Sequence, residues 1–118
     1  MKVGVDLIEI ARIERALERY PGFPERCFTE AERAYCDSRP KPAESYAGRF
    51  AGKEAVGKAL GIGVRFTWKE IEIVGRPKPS VRLTGRSQAA WERLGSGDID
   101  LSMTHSRELA AAICILVA

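Results

Sequence analysis

The sequence is poor in the residues that sulfur, imidazole or membrane chemistry needs. Its three cysteines, Cys27, Cys36 and Cys114, cannot all pair within one chain and none shows CxxC spacing. A zinc site or redox pair is therefore disfavoured, and three reduced thiols of a cytoplasmic protein are expected. There is a single histidine, His105. No GxxxxGK-S/T loop and no strand-anchored GxGxxG occurs, which removes the P-loop and dinucleotide-fold readings. A GxSxG elbow and a cysteine–histidine signature are missing as well. No apolar run is long enough to span a membrane, and the opening MKVGVDLIEI carries Asp6 and Glu9 inside its apolar stretch. Internal repeats, low-complexity tracts and linkers are likewise wanting.

What remains is an ordinary globular composition. The 118 residues are 45% hydrophobic and 30% charged, which suits one domain over residues 1–118. Nineteen Lys and Arg against sixteen Asp and Glu leave a net charge of +3, short of the excess of a dedicated nucleic-acid binder but compatible with a local basic patch for acidic partners. A chain this short builds a deep site more easily between subunits than within one.

Val3 to Ile8 reads as a strand, and Ile10, Ile13, Ala16 and Leu17 then recur at helical spacing as far as Tyr20. Thr29 and Glu32 form a capping-box pattern for a short helix to about Asp37. The longest helix is predicted over 43–60, with Pro42 in its first turn and Gly61 at its end. Residues 71–74 and 80–83 read as strands, 85–94 as a helix, and 99–104 and 109–117 as a hairpin. The sum is an α+β fold, a mostly antiparallel sheet packed against a long central helix.

Three features fit poorly with a plain core. Asp6 sits between Val5 and Leu7 in a strand with almost no polar face, a costly place for a carboxylate without a cation or good hydrogen bonds. Its plainer role is to cap the helix that follows. In the long helix Arg49 and Lys53 fall among Tyr46, Phe50, Val56 and Leu60, with Glu54 at the edge, which favours a helix lining a charged site. An i,i+4 pair between Glu54 and Lys58 explains two of these charges but not the others. His105 ends the series Ile99, Leu101, Met103 and so points to their face, flanked by Thr104 and Ser106. Two carboxylates beside several cations suit magnesium, or manganese, acting on a phosphorylated substrate. The residues by themselves also admit a non-catalytic module that binds acidic proteins through the basic first helix.

The segments GVDLIEIARI (Gly4 to Ile13), FTEAE (Phe28 to Glu32), GRFAGKEAVGKALG (Gly48 to Gly61), WKEIEI (Trp68 to Ile73) and SMTHS (Ser102 to Ser106) closely resemble the holo-acyl-carrier-protein synthases. These are the short branch of the 4′-phosphopantetheinyl transferases. The resemblance implies that family's fold, assembled as a homotrimer with active sites at subunit interfaces. It implies transfer of 4′-phosphopantetheine from coenzyme A to a serine of an acyl carrier protein, leaving adenosine 3′,5′-bisphosphate, in fatty acid biosynthesis. Asp6 and Glu54 are then the magnesium ligands, Lys58 the contact to the transferred phosphate, and Glu54 the proton acceptor. Arg49, His105 and Ser106 hold the adenosine phosphates, with Lys41 beside them. Arg12, Arg15 and Arg19 dock the acidic carrier, and no nucleic-acid or membrane partner is implied. Gly52 stands where the family commonly has alanine, which predicts a slightly looser helix.

Overall fold

In the computed structural model, which describes residues 1–65 and 67–117, the chain follows the expected order of elements. Strand β1 (Lys2–Glu9) leads into α1 (Ile10–Arg19), a short α2 (Phe23–Cys27) and α3 (Glu30–Asp37), and then α4 (Pro42–Leu60). A 3-10 turn at Trp68–Glu70 precedes β2 (Ile71–Val74) and β3 (Ser80–Leu83), followed by α5 (Gly85–Arg93), β4 (Asp98–His105) and β5 (Leu109–Val117). The first sheet is antiparallel in the order β1-β5-β4, so β1 and β4 are its two edges; β2 and β3 form a separate antiparallel ribbon. No helix among the described residues is long and apolar enough to cross a membrane.

The capping box forms as predicted: the Thr29 hydroxyl accepts from the Glu32 amide at 3.2 Å, and the Thr29 amide donates to Glu32 Oε1 at 2.9 Å. Gly61 closes α4 at φ 74, a left-handed conformation that glycine adopts without penalty. Two elements were not foreseen. Pro21, Gly22 and Pro24 read as a break, yet Phe23–Cys27 is helical and Trp68–Glu70 makes a 3-10 turn. Both are short pieces held by ring contacts, Phe23 on Phe28 and Phe50, and Phe50 on Trp68.

Helix α4 lies across the sheet and is buried on most sides. Its stripe of Ala47, Ala51, Ala55 and Ala59 lets the strands approach closely. A Cβ on Gly4 of β1 would stand 1.9 Å from the Ala55 carbonyl oxygen, so this strand rests directly on helix backbone. Gly52 is filled from outside: a Cβ there would meet Ile73 Cδ1 at 2.5 Å and Met103 Sδ at 3.1 Å. Its consequence is close packing rather than the looser helix expected. The inner sheet face buries Ile8, Leu101, Ala110, Ala112, Cys114 and Leu116, whereas Val3, Val5, Leu7, Ile113 and Val117 on the outer face are exposed.

Lys53 does not line a charged site. Fully buried, it pairs with Glu32 Oε1 at 2.7 Å and donates to the carbonyls of Trp68 at 2.7 Å and Ile71 at 2.5 Å. Glu32 Oε2 also accepts from the Ile73 amide at 2.8 Å. One ion pair thus fastens α3, α4 and β2 together, and truncating either partner leaves an uncompensated buried charge costing about 3–5 kcal/mol.

Candidate active site

Asp6 sits on the inner face of β1, because period-2 alternation places it with Gly4 and Ile8 against α4 while Val5 and Leu7 face outward. It caps nothing: Glu9 occupies the cap position of α1, without a side-chain bond. Lys58 reaches across from α4, its ammonium 3.6 Å from Asp6 Oδ1 and donating to the Val5 carbonyl at 2.9 Å. The alternative of an i,i+4 salt bridge between Glu54 and Lys58 does not form; the lysine turns to the strand instead. Glu54, one helical turn before Lys58, feels both of them. Burial first, and then the Asp6 charge, push its carboxyl above the usual range, and Lys58 pulls it partly back. Glu54 makes no hydrogen bond to a described residue. Two neighbouring carboxylates, with one ammonium at their edge, form a donor set fitted to a hard divalent cation. Among the described residues no cluster of three or more His, Cys, Asp or Glu supplies a closed cage, so such an ion would keep positions for other oxygen ligands.

The other flank of α4 is basic. A cleft of about 450 Å³ opens where the start of α4 meets the end of β4, lined by Tyr35, Arg39, Lys41, Arg49, Arg76, Thr104 and His105 among others. Arg49 is 5% exposed, and its guanidinium carbon lies 4.0 Å above the Tyr35 ring centroid. Its Nε is buried without a hydrogen-bond partner. Arg49 lines the cleft wall, where a guanidinium suits an anionic ligand. His105 Nε2 lies 3.5 Å from Glu44 Oε1, which makes an ion pair when the imidazole is protonated. Its position agrees with the strand register read from Ile99, Leu101 and Met103. Lys41 lies 4.0 Å from the same Glu44. Ser106 does not line the cleft: its hydroxyl accepts from the Leu109 and Glu108 amides at 3.2 and 3.4 Å and holds the β4–β5 turn. Tyr35, Arg39 and Arg76 line it without having been foreseen. The only signal for Arg39 was its closeness to Lys41, in a connection without periodicity.

A second hollow, of about 830 Å³, is lined by Tyr20, Phe23, Phe50 and Trp68 with Arg26 and Arg65, and has no carboxylate. It adjoins the end of α1, on which Arg12, Arg15 and Arg19 are all exposed.

The carboxylates and the cleft lie apart. Arg49 and Glu54 are five residues apart, so they point about 140° away from each other around the helix. Asp6 belongs to one edge strand of the sheet, and Thr104 and His105 to the other. One half gathers two carboxylates and an ammonium; the other gathers cations suited to an anion.

Residues 2–114 match the model of the 4′-phosphopantetheinyl transferase superfamily. The holo-[acyl-carrier-protein] synthase of Moorella thermoacetica is 46% identical over 121 residues, covering 98% of this chain and 93% of its own. Among solved structures, the Bacillus anthracis holo-(acyl-carrier-protein) synthase, determined in complex with CoA (3′,5′-ADP), superposes with a TM-score of 0.78 at 33% identity, covering 98% of this chain and 94% of its own. The Neisseria meningitidis holo-[acyl-carrier-protein] synthase gives a TM-score of 0.84 at 27% identity, covering 99% and 98%.

Proposed function

The chain belongs to the 4′-phosphopantetheinyl transferase superfamily, and from that premise we propose that it transfers the 4′-phosphopantetheine arm of coenzyme A to a serine of an apo-acyl carrier protein. The products are the holo-carrier of fatty acid biosynthesis and adenosine 3′,5′-bisphosphate. The observation that carries this reading is the pairing of Asp6, Glu54 and Lys58 on one flank of α4 with the basic, partly orphaned cleft on the other.

In the transfer, a bond forms between the serine oxygen and the phosphorus that carries pantetheine. The bond from that phosphorus to the adenosine-side oxygen breaks. Lys58 donates to the non-bridging oxygens, where charge accumulates. Glu54 accepts the serine proton at a carboxylate oxygen; a carboxyl raised above its usual range is the better base near neutral pH. Asp6 and Glu54 would hold a magnesium ion, for which manganese can substitute, and when bound it neutralises charge on the pyrophosphate. Arg49, Lys41 and His105 hold the adenosine phosphates, and Ser106 fixes the turn beside His105. Arg12, Arg15 and Arg19 present cations to the acidic carrier from exposed helix positions, so docking weakens as salt rises.

The working form in this reading is a homotrimer in which the carboxylate flank of one copy faces the cleft of the next. Two observations support it: the two half-sites lie on opposite edges of the sheet, and the outer sheet face exposes Val3, Val5, Leu7, Ile113 and Val117. Three buried free cysteines suit the reducing cytoplasm.

The test is to incubate the purified protein with apo-acyl carrier protein, coenzyme A and magnesium and weigh the carrier by mass spectrometry. A gain of one phosphopantetheine arm is expected, abolished by chelator and by Asp6→Ala. A carrier that stays at its apo mass, across several carriers, overturns the reading.

A further inference from the structure

Lys53 and Glu54 are neighbours on α4 with opposite surroundings. Glu54 opens towards Asp6, whereas the Lys53 side chain is 0% exposed. An ammonium carries three N–H donors, and Lys53 engages three acceptors: Glu32 Oε1 at 2.7 Å and the carbonyl oxygens of Trp68 at 2.7 Å and Ile71 at 2.5 Å. No donor is left for a phosphate, so this lysine does not contact the substrate, unlike Lys58 one turn beyond Glu54.

The acceptors are themselves fixed. Glu32 is 1% exposed; its Oε1 also accepts from the Thr29 amide at 2.9 Å and its Oε2 from the Ile73 amide at 2.8 Å. The Thr29 hydroxyl donates in turn to Glu72 Oε2 at 2.6 Å. Lys53 is thus bound to α3, to the 3-10 turn and to β2 together. The far side of α4 is different. Ala51 and Ala55, two residues before and after Lys53, lie about 160° away around the helix and rest on the strands. Methyl groups permit close approach, but their ridges are too shallow to fix how far a helix is turned. Near its start α4 has Tyr46, which donates to Asp37 Oδ1 at 2.8 Å, and Arg49 over the Tyr35 ring. By the middle of the helix the directional hold is that of Lys53.

Small rotations matter there. At a side-chain radius of about 5–6 Å, a turn of about 10° moves a carboxylate by about 1 Å. A misplacement of that size costs about a hundredfold in rate. We propose that Lys53, anchored by Glu32 and two carbonyls, is a positioning residue that holds α4 at the rotation turning Glu54 towards Asp6. Glu54 is the catalytic group, and Lys53 acts through it. The proposal rests on the transferase reading above.

The experiment removes the anchor without leaving a lone buried charge. In the double variant Glu32→Gln with Lys53→Met, glutamine still serves the capping box and methionine keeps the length of the stem. Circular dichroism confirms the fold. The expected result is a kcat lower by about ten- to a hundredfold, with KM for the carrier within about twofold of native because Arg12, Arg15 and Arg19 stand on α1. Manganese affinity, read by electron paramagnetic resonance without coenzyme A, falls about tenfold, which reports the Asp6–Glu54 arrangement independently of turnover. Leu116→Val, a fully buried change on β5, is the control for lost stability and keeps kcat and manganese affinity. Glu32→Gln alone shows the same split at smaller size and decides the matter where the double variant does not fold. A folded variant with native kcat and manganese affinity overturns the proposal, as does an equal loss in Leu116→Val. A native protein that does not transfer from coenzyme A at all sinks the transferase reading itself, a distinct result.

Discussion

Glu54 ionises less readily than a free carboxyl, because burial and then the Asp6 carboxylate oppose its charge. A carboxyl whose folded-state pKa is raised stabilises the fold fully below the ordinary value of 4.5. That contribution is lost as pH rises through the raised value. At pH 7 the charged Glu54 is therefore a cost to the metal-free protein. In chelator, Glu54→Gln is expected to raise Tm by a few degrees at pH 7, with the gap closing towards pH 4, while abolishing transfer. Magnesium raises Tm in the native protein and not in the variant. Thermal unfolding at the two pH values checks both statements; a variant less stable than native at pH 7 contradicts them. Asp6, Glu54 and His105 were legible in the sequence because strand and helix periodicity fixes which face each occupies. Lys53 was not. Helical spacing put it among apolar residues, but only the tertiary fold brings Glu32 and two carbonyls to its ammonium. Arg39 and Arg76 lie in connections, where no period reports direction.

Within α4, two glycines one turn apart have opposite surroundings. Nothing stands within 4 Å of a Cβ built on Gly48, whereas one on Gly52 runs into Ile73 and Met103. Gly48→Ala should stabilise the protein by about 1 kcal/mol through helix propensity and, because Gly48 lines the basic cleft, raise KM for coenzyme A. Gly52→Ala gains the same propensity but overpacks a boundary where Ile73 is 1% exposed, and about 1 kcal/mol net destabilisation is expected. Urea unfolding of the two variants separates them; equal shifts refute the packing account. The long elements were readable because each carries its own period and its own stop signals, such as Thr29 with Glu32 or Gly61. Phe23–Cys27 and Trp68–Glu70 carry neither, since their helicity comes from the aromatic contacts they make.

At the scale of the molecule, the three-stranded sheet is covered by α4 on one face, while the other presents apolar side chains. The outer edges of β1 and β4 pair with no further strand in the described structure. An apolar face beside open edges is an association surface rather than a stable solvent boundary. Placing charge there with Val3→Asp and Ile113→Lys is expected to convert the proposed trimer to monomers in light scattering, with activity lost although Asp6, Glu54 and Arg49 are intact. A native protein that is monomeric and fully active overturns the interfacial site. The separation of the two half-sites by α4 has a genetic consequence. In the proposed trimer, Asp6→Ala is expected to destroy only the carboxylate half and Arg49→Ala only the cleft half, so two dead proteins should rescue each other. When subunits of both kinds are unfolded together and reassembled in equal amounts, about a quarter of the junctions unite two undamaged halves. Activity returns from a mixture of parents that each have none.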